Sequence, residues 1–184
     1  MKLTPIDNAN RLWAISDIWP EDLINDVLSI DWLNEPFAYE TELLGDQNRR
    51  NVFPKNPIIT RLDDYMHQCV PLINQITNNN FISSPASCWW INEPGFRSNM
   101  HHDGGLLNNM LVYWYAPDKS EEYGTTFYNS DNTSDVLHQF KSVPGTGYFM
   151  LNHVDPDGTR PIQLHAMLNI IPPNHWRLTS FWQF

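Results

Sequence analysis

The sequence has little cysteine, little positive charge and no long apolar run, and each shortage removes a class of protein. Cys69 and Cys88 are its only cysteines. They can pair only once and show no Cys-x-x-Cys spacing, which argues against a disulfide framework or a zinc–thiolate site. Eleven Lys and Arg stand against 21 Asp and Glu, a formal net charge of −10. No basic run overrides that field, so nucleic acid is not an expected partner. No apolar stretch approaches the roughly 18 residues of a membrane span, and "MKLTPIDNANRLWAISDIWPEDL" lacks the apolar core of a secretory signal. The expectation is a soluble cytoplasmic protein in a reducing compartment, without a membrane partner. Internal repeats and low-complexity tracts are lacking too.

What is present suits one folded domain. The 184 residues are 41% hydrophobic and 13% aromatic, far from a disordered composition. Residues 1–80 read as mostly helical support. "PEDLINDVLSIDWL" opens with a proline and two acids, which favour a helix start, and sets Leu23, Ile24, Val27 and Leu28 on one face. A second stripe runs through Ile59, Leu62, Met66, Cys69, Val70, Ile73 and Ile76, where Pro71 should kink or divide the helix and "TNNNF" should stop it. "LLGDQNRRNVFPKNP" reads as a long surface loop. From residue 81 on, "SCWWI", "MLVYWYAP", "GTTFY", "TGYFML", "IQLHAML" and "RLTSFWQF" are strand-length runs divided by turn-formers. This spacing predicts a β-sandwich or barrel over 81–184, with the helices packed on one sheet.

One polar cluster stands out, "NMHHDGG" at 99–105. If it is extended, His101 and Asp103 project to the same face with Cα atoms roughly 6.6 Å apart, near enough to converge on one ion, while His102 points away. Two histidines and a carboxylate on one face are the ligand set of non-haem Fe(II) oxygenases, so a third ligand is required. The pattern arises cheaply, since His153 and Asp155 repeat it. Third-ligand candidates are His138, His153, His165 and His175; His165 lies within an apolar strand and, taken alone, reads first as a core histidine with a backbone partner.

In order, these segments resemble the double-stranded β-helix of Fe(II)/2-oxoglutarate-dependent oxygenases, and more closely the prolyl-4-hydroxylase-like branch. "INEPGFRSNMHHD" resembles that branch's tyrosine, two residues, glycine, five residues and His-any-Asp, with Gly95 in place and Asn92 where the tyrosine would stand. "EYGTTFY" resembles its Gly-Gly-any-Thr segment, with Gly124 and Thr126 in register. "VPGTGYFMLN" is similar to the strand leading to the distal histidine, and "HAMLNIIPPNHWRLTSFWQF" to the closing element. The resemblance reaches back to the N-terminal helix. It favours the first His-any-Asp pair: 61 residues lie between Asp103 and His165, room for the intervening strands, against nine after Asp155.

The resemblance implies a mainly β fold with N-terminal helices, a jelly-roll or cupin-like barrel. It implies Fe(II) held by His101, Asp103 and His165, with 2-oxoglutarate and O2 as cosubstrates and ascorbate as a further candidate cofactor. Arg177, 12 positions after His165 and slightly farther than the family pattern, would clamp the distal carboxylate of 2-oxoglutarate; Thr179 would add a hydroxyl, and Arg160 is a poorer choice. Tyr113 or Tyr115 would supply the phenol missing at position 92. The implied reaction hydroxylates a protein or peptide side chain, proline first among them, with release of succinate and CO2; a small metabolite or free amino acid is the alternative substrate. Trp89, Trp90 and Trp114 would line a peptide groove or fill the core. Rival readings are a cupin-like metalloenzyme without the carboxylate clamp and a structural jelly-roll protein of the kind viruses encode.

Overall fold

A computed structural model of the protein describes residues 1–7, 11–39, 48–81, 87–101, 103, 108–116, 123–151 and 164–184. Among these residues the order is β1 (Lys2–Pro5), β2 (Leu12–Ser16), α1 (Glu21–Leu28), a 3-10 turn (Trp32–Asn34), β3 (Phe37–Tyr39), β4 (Arg49–Val52), α2 (Ile58–Thr77), β5 (Ser87–Asn92), β6 (Ser98–His101), β7 (Asn109–Tyr115), β8 (Thr126–Tyr128), β9 (Val136–Gln139), β10 (Thr146–Met150), β11 (Leu164–Met167) and β12 (Arg177–Gln183).

The helices form where the pattern places them. Pro20, with Glu21 and Asp22 in the first turn, starts α1, which buries Leu23 and Val27 one turn apart. In α2, Ile58, Leu62, Met66, Cys69, Ile73 and Thr77 form a buried stripe, and Asn78 ends the helix in the left-handed region at φ 54°. Pro71 does not divide it. The helix runs unbroken over 20 residues with Pro71 on its exposed side. Buried Met66 and Cys69 before the proline and Ile73 after it hold both halves on the same surface, which offsets the lost backbone bond.

The strands make an eight-stranded sheet, β1-β2-β10-β7-β12-β5-β4-β3, and a four-stranded sheet, β6-β11-β8-β9. Every pairing is antiparallel. Strand alternation divides the side chains between two cores. Met110, Val112 and Trp114 of β7 join Trp13, Phe149, Leu178, Trp182 and the helical stripes in the outer core. Leu111 and Tyr113 turn the other way and meet Leu12, Phe127, Tyr148 and Met150 between the sheets. This is a jelly-roll arrangement with helices on the outer face of the larger sheet. Trp89 and Trp114 are buried in that outer core; Trp90 is half-buried on the inner face, its ring 5.1 Å from that of Phe181.

The first 80 residues are less helical than their periodicity predicts. β1 and β2 extend one edge of the large sheet beside β10, and β3 and β4 extend the other beyond β5. Arg49–Val52 is thus a strand within the segment read as a surface loop. These strands are short, and β2 is joined to the rest of the sheet by β10 in the second half of the chain, so local pattern carries little sign of that pairing. Among the described residues no helix is long and apolar enough to cross a membrane.

Gly147 shows how closely the central strands approach. A Cβ there would lie 1.9 Å from the Leu111 carbonyl oxygen across the β10–β7 pair. Gly147→Ala should lower unfolding stability by at least about 2 kcal/mol, measured by chemical denaturation, because the clash is with backbone and cannot be relieved by a rotamer change.

Candidate active site

His101 closes β6 and faces His165 of β11 directly in the ladder. Cross-strand partners project to the same side, which brings the two rings to a centroid distance of 4.4 Å. Asp103, just past β6, completes the group: its Oδ1 lies 3.7 Å from Nε2 of His101 and 3.7 Å from Nε2 of His165. One ligand atom from each residue fits within 4.8 Å of the others. Two ligands on an ion at about 2.1 Å each are separated by at most about 4.2 Å; the two 3.7 Å spacings from Asp103 fall within that limit, and the group as a whole would draw in by a few tenths of an ångström around a shared divalent metal. The donor set of two imidazoles and one carboxylate suits Fe(II) with positions left open.

The surrounding bonds aim the ligand atoms. His101 Nδ1 is 2.7 Å from the Asn99 carbonyl oxygen, a contact that puts its proton on Nδ1 and leaves the Nε2 lone pair inward. Asp103 Oδ2 accepts a bond from Asn109 Nδ2 at 2.9 Å, turning Oδ1 towards the histidines. The Phe127 ring stacks on His165 at 5.2 Å. Asn109 carries no motif signal; only its position, opening β7 after the His-any-Asp pair, marks it.

The same inner face continues to Arg177, the first residue of β12. The turn before it absorbs the extra length after His165: Asn174 adopts φ 64°, the His175 N–H donates to the Pro172 carbonyl, and Ile171 bonds to Phe96 and Gly95 through its backbone. Arg177 is buried, as is Thr179 two residues on. Nε and Nη2 of Arg177 donate to Asn92 Oδ1 at 2.9 and 2.7 Å, and Nη1 donates to the Tyr123 carbonyl at 2.7 Å. Both partners are neutral, and no carboxylate pairs with this arginine among the described residues. Burial pushes its pKa down to about 10, opposed by Tyr113 and assisted by neighbouring Arg49, so it remains a cation near neutrality. A buried cation without a counter-charge is a place for an anion.

Of the two candidate tyrosines, Tyr113 faces inward. Its hydroxyl donates to Thr125 Oγ1 at 2.8 Å and accepts from the Thr125 N–H at 2.9 Å, and burial raises its pKa against the opposing effect of Arg177. Tyr115 is exposed and stacks on Trp176 at 4.3 Å, away from the interior. Tyr148, not anticipated from sequence, also lines the interior, its pKa raised well above the ordinary value, chiefly by burial. His138 sits on β9 against Phe140, and His175 lies in the turn before β12; neither joins the group. His102, His153, Asp155 and Arg160 lie outside the described residues.

No family model and no curated protein sequence matches the chain. Solved structures do. A prolyl-4-hydroxylase from Pseudomonas putida superposes with a TM-score of 0.65 at 14% identity, covering 94% of this chain and 91% of that one. The collagen prolyl hydroxylase of Paramecium Bursaria Chlorella virus-1, in complex with 2-oxoglutarate, gives 0.57 at 15% identity, with 94% of each chain covered. HygX of Streptomyces hygroscopicus, bound to nickel, 2-oxoglutarate and hygromycin B, gives 0.61 at 10% identity over 94% of this chain and 82% of that one. These likenesses establish the fold as the double-stranded β-helix.

If Asn109 sets the angle of the Asp103 carboxylate, Asn109→Ala should weaken Mn(II) or Ni(II) binding by about 10- to 100-fold in calorimetry. Unchanged affinity would show that Asp103 needs no such support.

Proposed function

We propose that this chain is a 2-oxoglutarate- and Fe(II)-dependent oxygenase of the prolyl-4-hydroxylase-like branch, acting as one domain over 1–184 and hydroxylating a protein or peptide side chain. The observation that carries the reading is the pairing of two features on one inner face: a His-Asp-His group with ion-binding spacing, and a buried arginine, with no counter-charge among the described residues, beside a buried hydroxyl. A cupin-like isomerase would need the first but has no use for the second. The solved structures of the same fold include two prolyl hydroxylases, one in complex with 2-oxoglutarate, and HygX with both metal and 2-oxoglutarate.

In this reading His101, Asp103 and His165 hold Fe(II), whose chemistry when bound couples decarboxylation of 2-oxoglutarate to oxidation of the substrate. The chain's own contribution is placement. Arg177 would attract the distal carboxylate as a fixed fork, and Thr179 Oγ1, buried without a partner among the described residues, is a free donor for it. Tyr113 and Tyr148 wall the cavity with rings that stay protonated, keeping the interior dry and free of competing negative charge. A small-molecule substrate is the second reading, favoured by HygX, whose structure with hygromycin B shares the fold.

His101→Ala, Asp103→Ala and His165→Ala should each abolish Fe(II)-dependent succinate formation, assayed with a panel of proline-containing peptides and small metabolites; full turnover by any of them would sink the assignment. Arg177→Ala should raise the 2-oxoglutarate concentration for half-maximal turnover by about tenfold or more while leaving metal affinity unchanged.

A further inference from the structure

Asn92 ends β5 in register with Arg177 of β12 on one side and Arg49 of β4 on the other, and it has no exposed surface. Its Oδ1 accepts both Nε–H and Nη2–H of Arg177. Since a guanidinium can only donate, this contact fixes the amide: oxygen towards Arg177, NH2 away from it. That NH2 is buried with no hydrogen-bond partner among the described residues, and Thr179 Oγ1, two residues beyond Arg177, is in the same condition. Arg177 is held on its other edge by the Tyr123 carbonyl and carries no acidic partner among the described residues. A buried amide donor without an acceptor destabilises a fold. An amide donor, a hydroxyl and an immobilised cation together call for an acceptor that is anionic and has several lone pairs, which describes a carboxylate.

We propose that Asn92 is a binding and positioning residue for the cosubstrate: its carbonyl oxygen fixes the plane of the Arg177 guanidinium, and its NH2 donates to the distal carboxylate of 2-oxoglutarate. The inference rests on the oxygenase reading above and adds a residue to it. Asn92 stands where the resembling family carries tyrosine, and a phenol has a single polar atom. The carboxamide has two opposed ones, so it can serve the arginine and the ligand at once.

The test is calorimetry on Ni(II)-loaded protein with two chelating ligands: 2-oxoglutarate, which has the distal carboxylate, and oxalate, which does not. Asn92→Asp keeps an oxygen for Arg177 but replaces the donor with a second acceptor bearing charge. It should weaken 2-oxoglutarate binding by about tenfold or more and leave oxalate and Ni(II) binding unchanged. Unchanged 2-oxoglutarate affinity, or an equal loss for oxalate, overturns the proposal. Where the variant does not fold, wild-type protein loaded with Zn(II) decides: the Asn92 side-chain amide resonance should shift on adding 2-oxoglutarate and stay in place on adding oxalate, and an unmoved resonance overturns the inference. If wild-type Ni(II) protein binds oxalate but not 2-oxoglutarate, the oxygenase reading itself fails, an outcome distinct from loss in the variant alone.

Discussion

The register between β6 and β11 is the constraint on which the rest depends. His165 opposes His101, and because side chains alternate along a strand, a slip of one residue would send one imidazole to the opposite face. Several contacts pin it. Phe127 stacks on His165 from the neighbouring strand, a bulge follows between His165 and Met167, and beyond it Ile171 exchanges backbone bonds with the Gly95–Phe96 turn that leads into β6. Gly95 takes φ 86° in that turn, a conformation that favours glycine. The spacing of the two imidazoles is thus a property of the sheet, and one bond from Asn109 holds the Asp103 carboxylate beside them.

The second requirement is a cation inside the barrel of an acidic protein. Burying an arginine costs energy that a carboxylate partner usually offsets, but such a partner would also cancel its attraction for a ligand. Here an amide oxygen and a backbone carbonyl accept three of its five N–H bonds without neutralising it. Tyr113 and Tyr148 add their ring dipoles and hydroxyls nearby but remain protonated. The inner face therefore carries a buried cation on β12 and a His-Asp-His group on β6 and β11.

How much of this could be read from the sequence follows from the range of each interaction. His101 and Asp103 were legible because their spacing is local and strand geometry alone sets it. His165 was legible as an odd residue in an apolar strand, but its partner across the ladder was not, and resemblance to a known family supplied the choice. Arg177 and Thr179 followed from the same resemblance, and the turn at Asn174 explains their displaced spacing. Strands β1 to β4 carry little local signal because they are three to five residues long, and β2 and β4 join the sheet only through β10 and β5. Pro71 misled because its local rule holds for an isolated helix, whereas α2 is held along its whole length by packing. Asn92 was seen only as a departure from pattern; its use depends on an arginine 85 positions away.

The two cores divide the work. Trp13, Trp19, Trp32, Trp89, Trp114 and Trp182 all lie in the outer one, packed against the helices, with Trp19 within 5.6 Å, ring to ring, of Tyr65, Trp114 and Trp182. Aromatic burial of this kind contributes heavily to stability and demands little polar satisfaction. Trp114 donates its one N–H to Ser180 Oγ, and Trp182 its own to Asp63. Trp19 Nε1 alone among these indoles is buried without a partner among the described residues. The inner core of the same sheet carries a heavier polar load: Thr179 and Asn92 donors without partners among the described residues, a buried cation and the close His-Asp-His group. Those features each destabilise, and alternation along β5, β7 and β12 lets residues one position apart supply the compensating burial. The two helices thus act on the site from the far face of the large sheet, by stabilising the strands whose other face carries it.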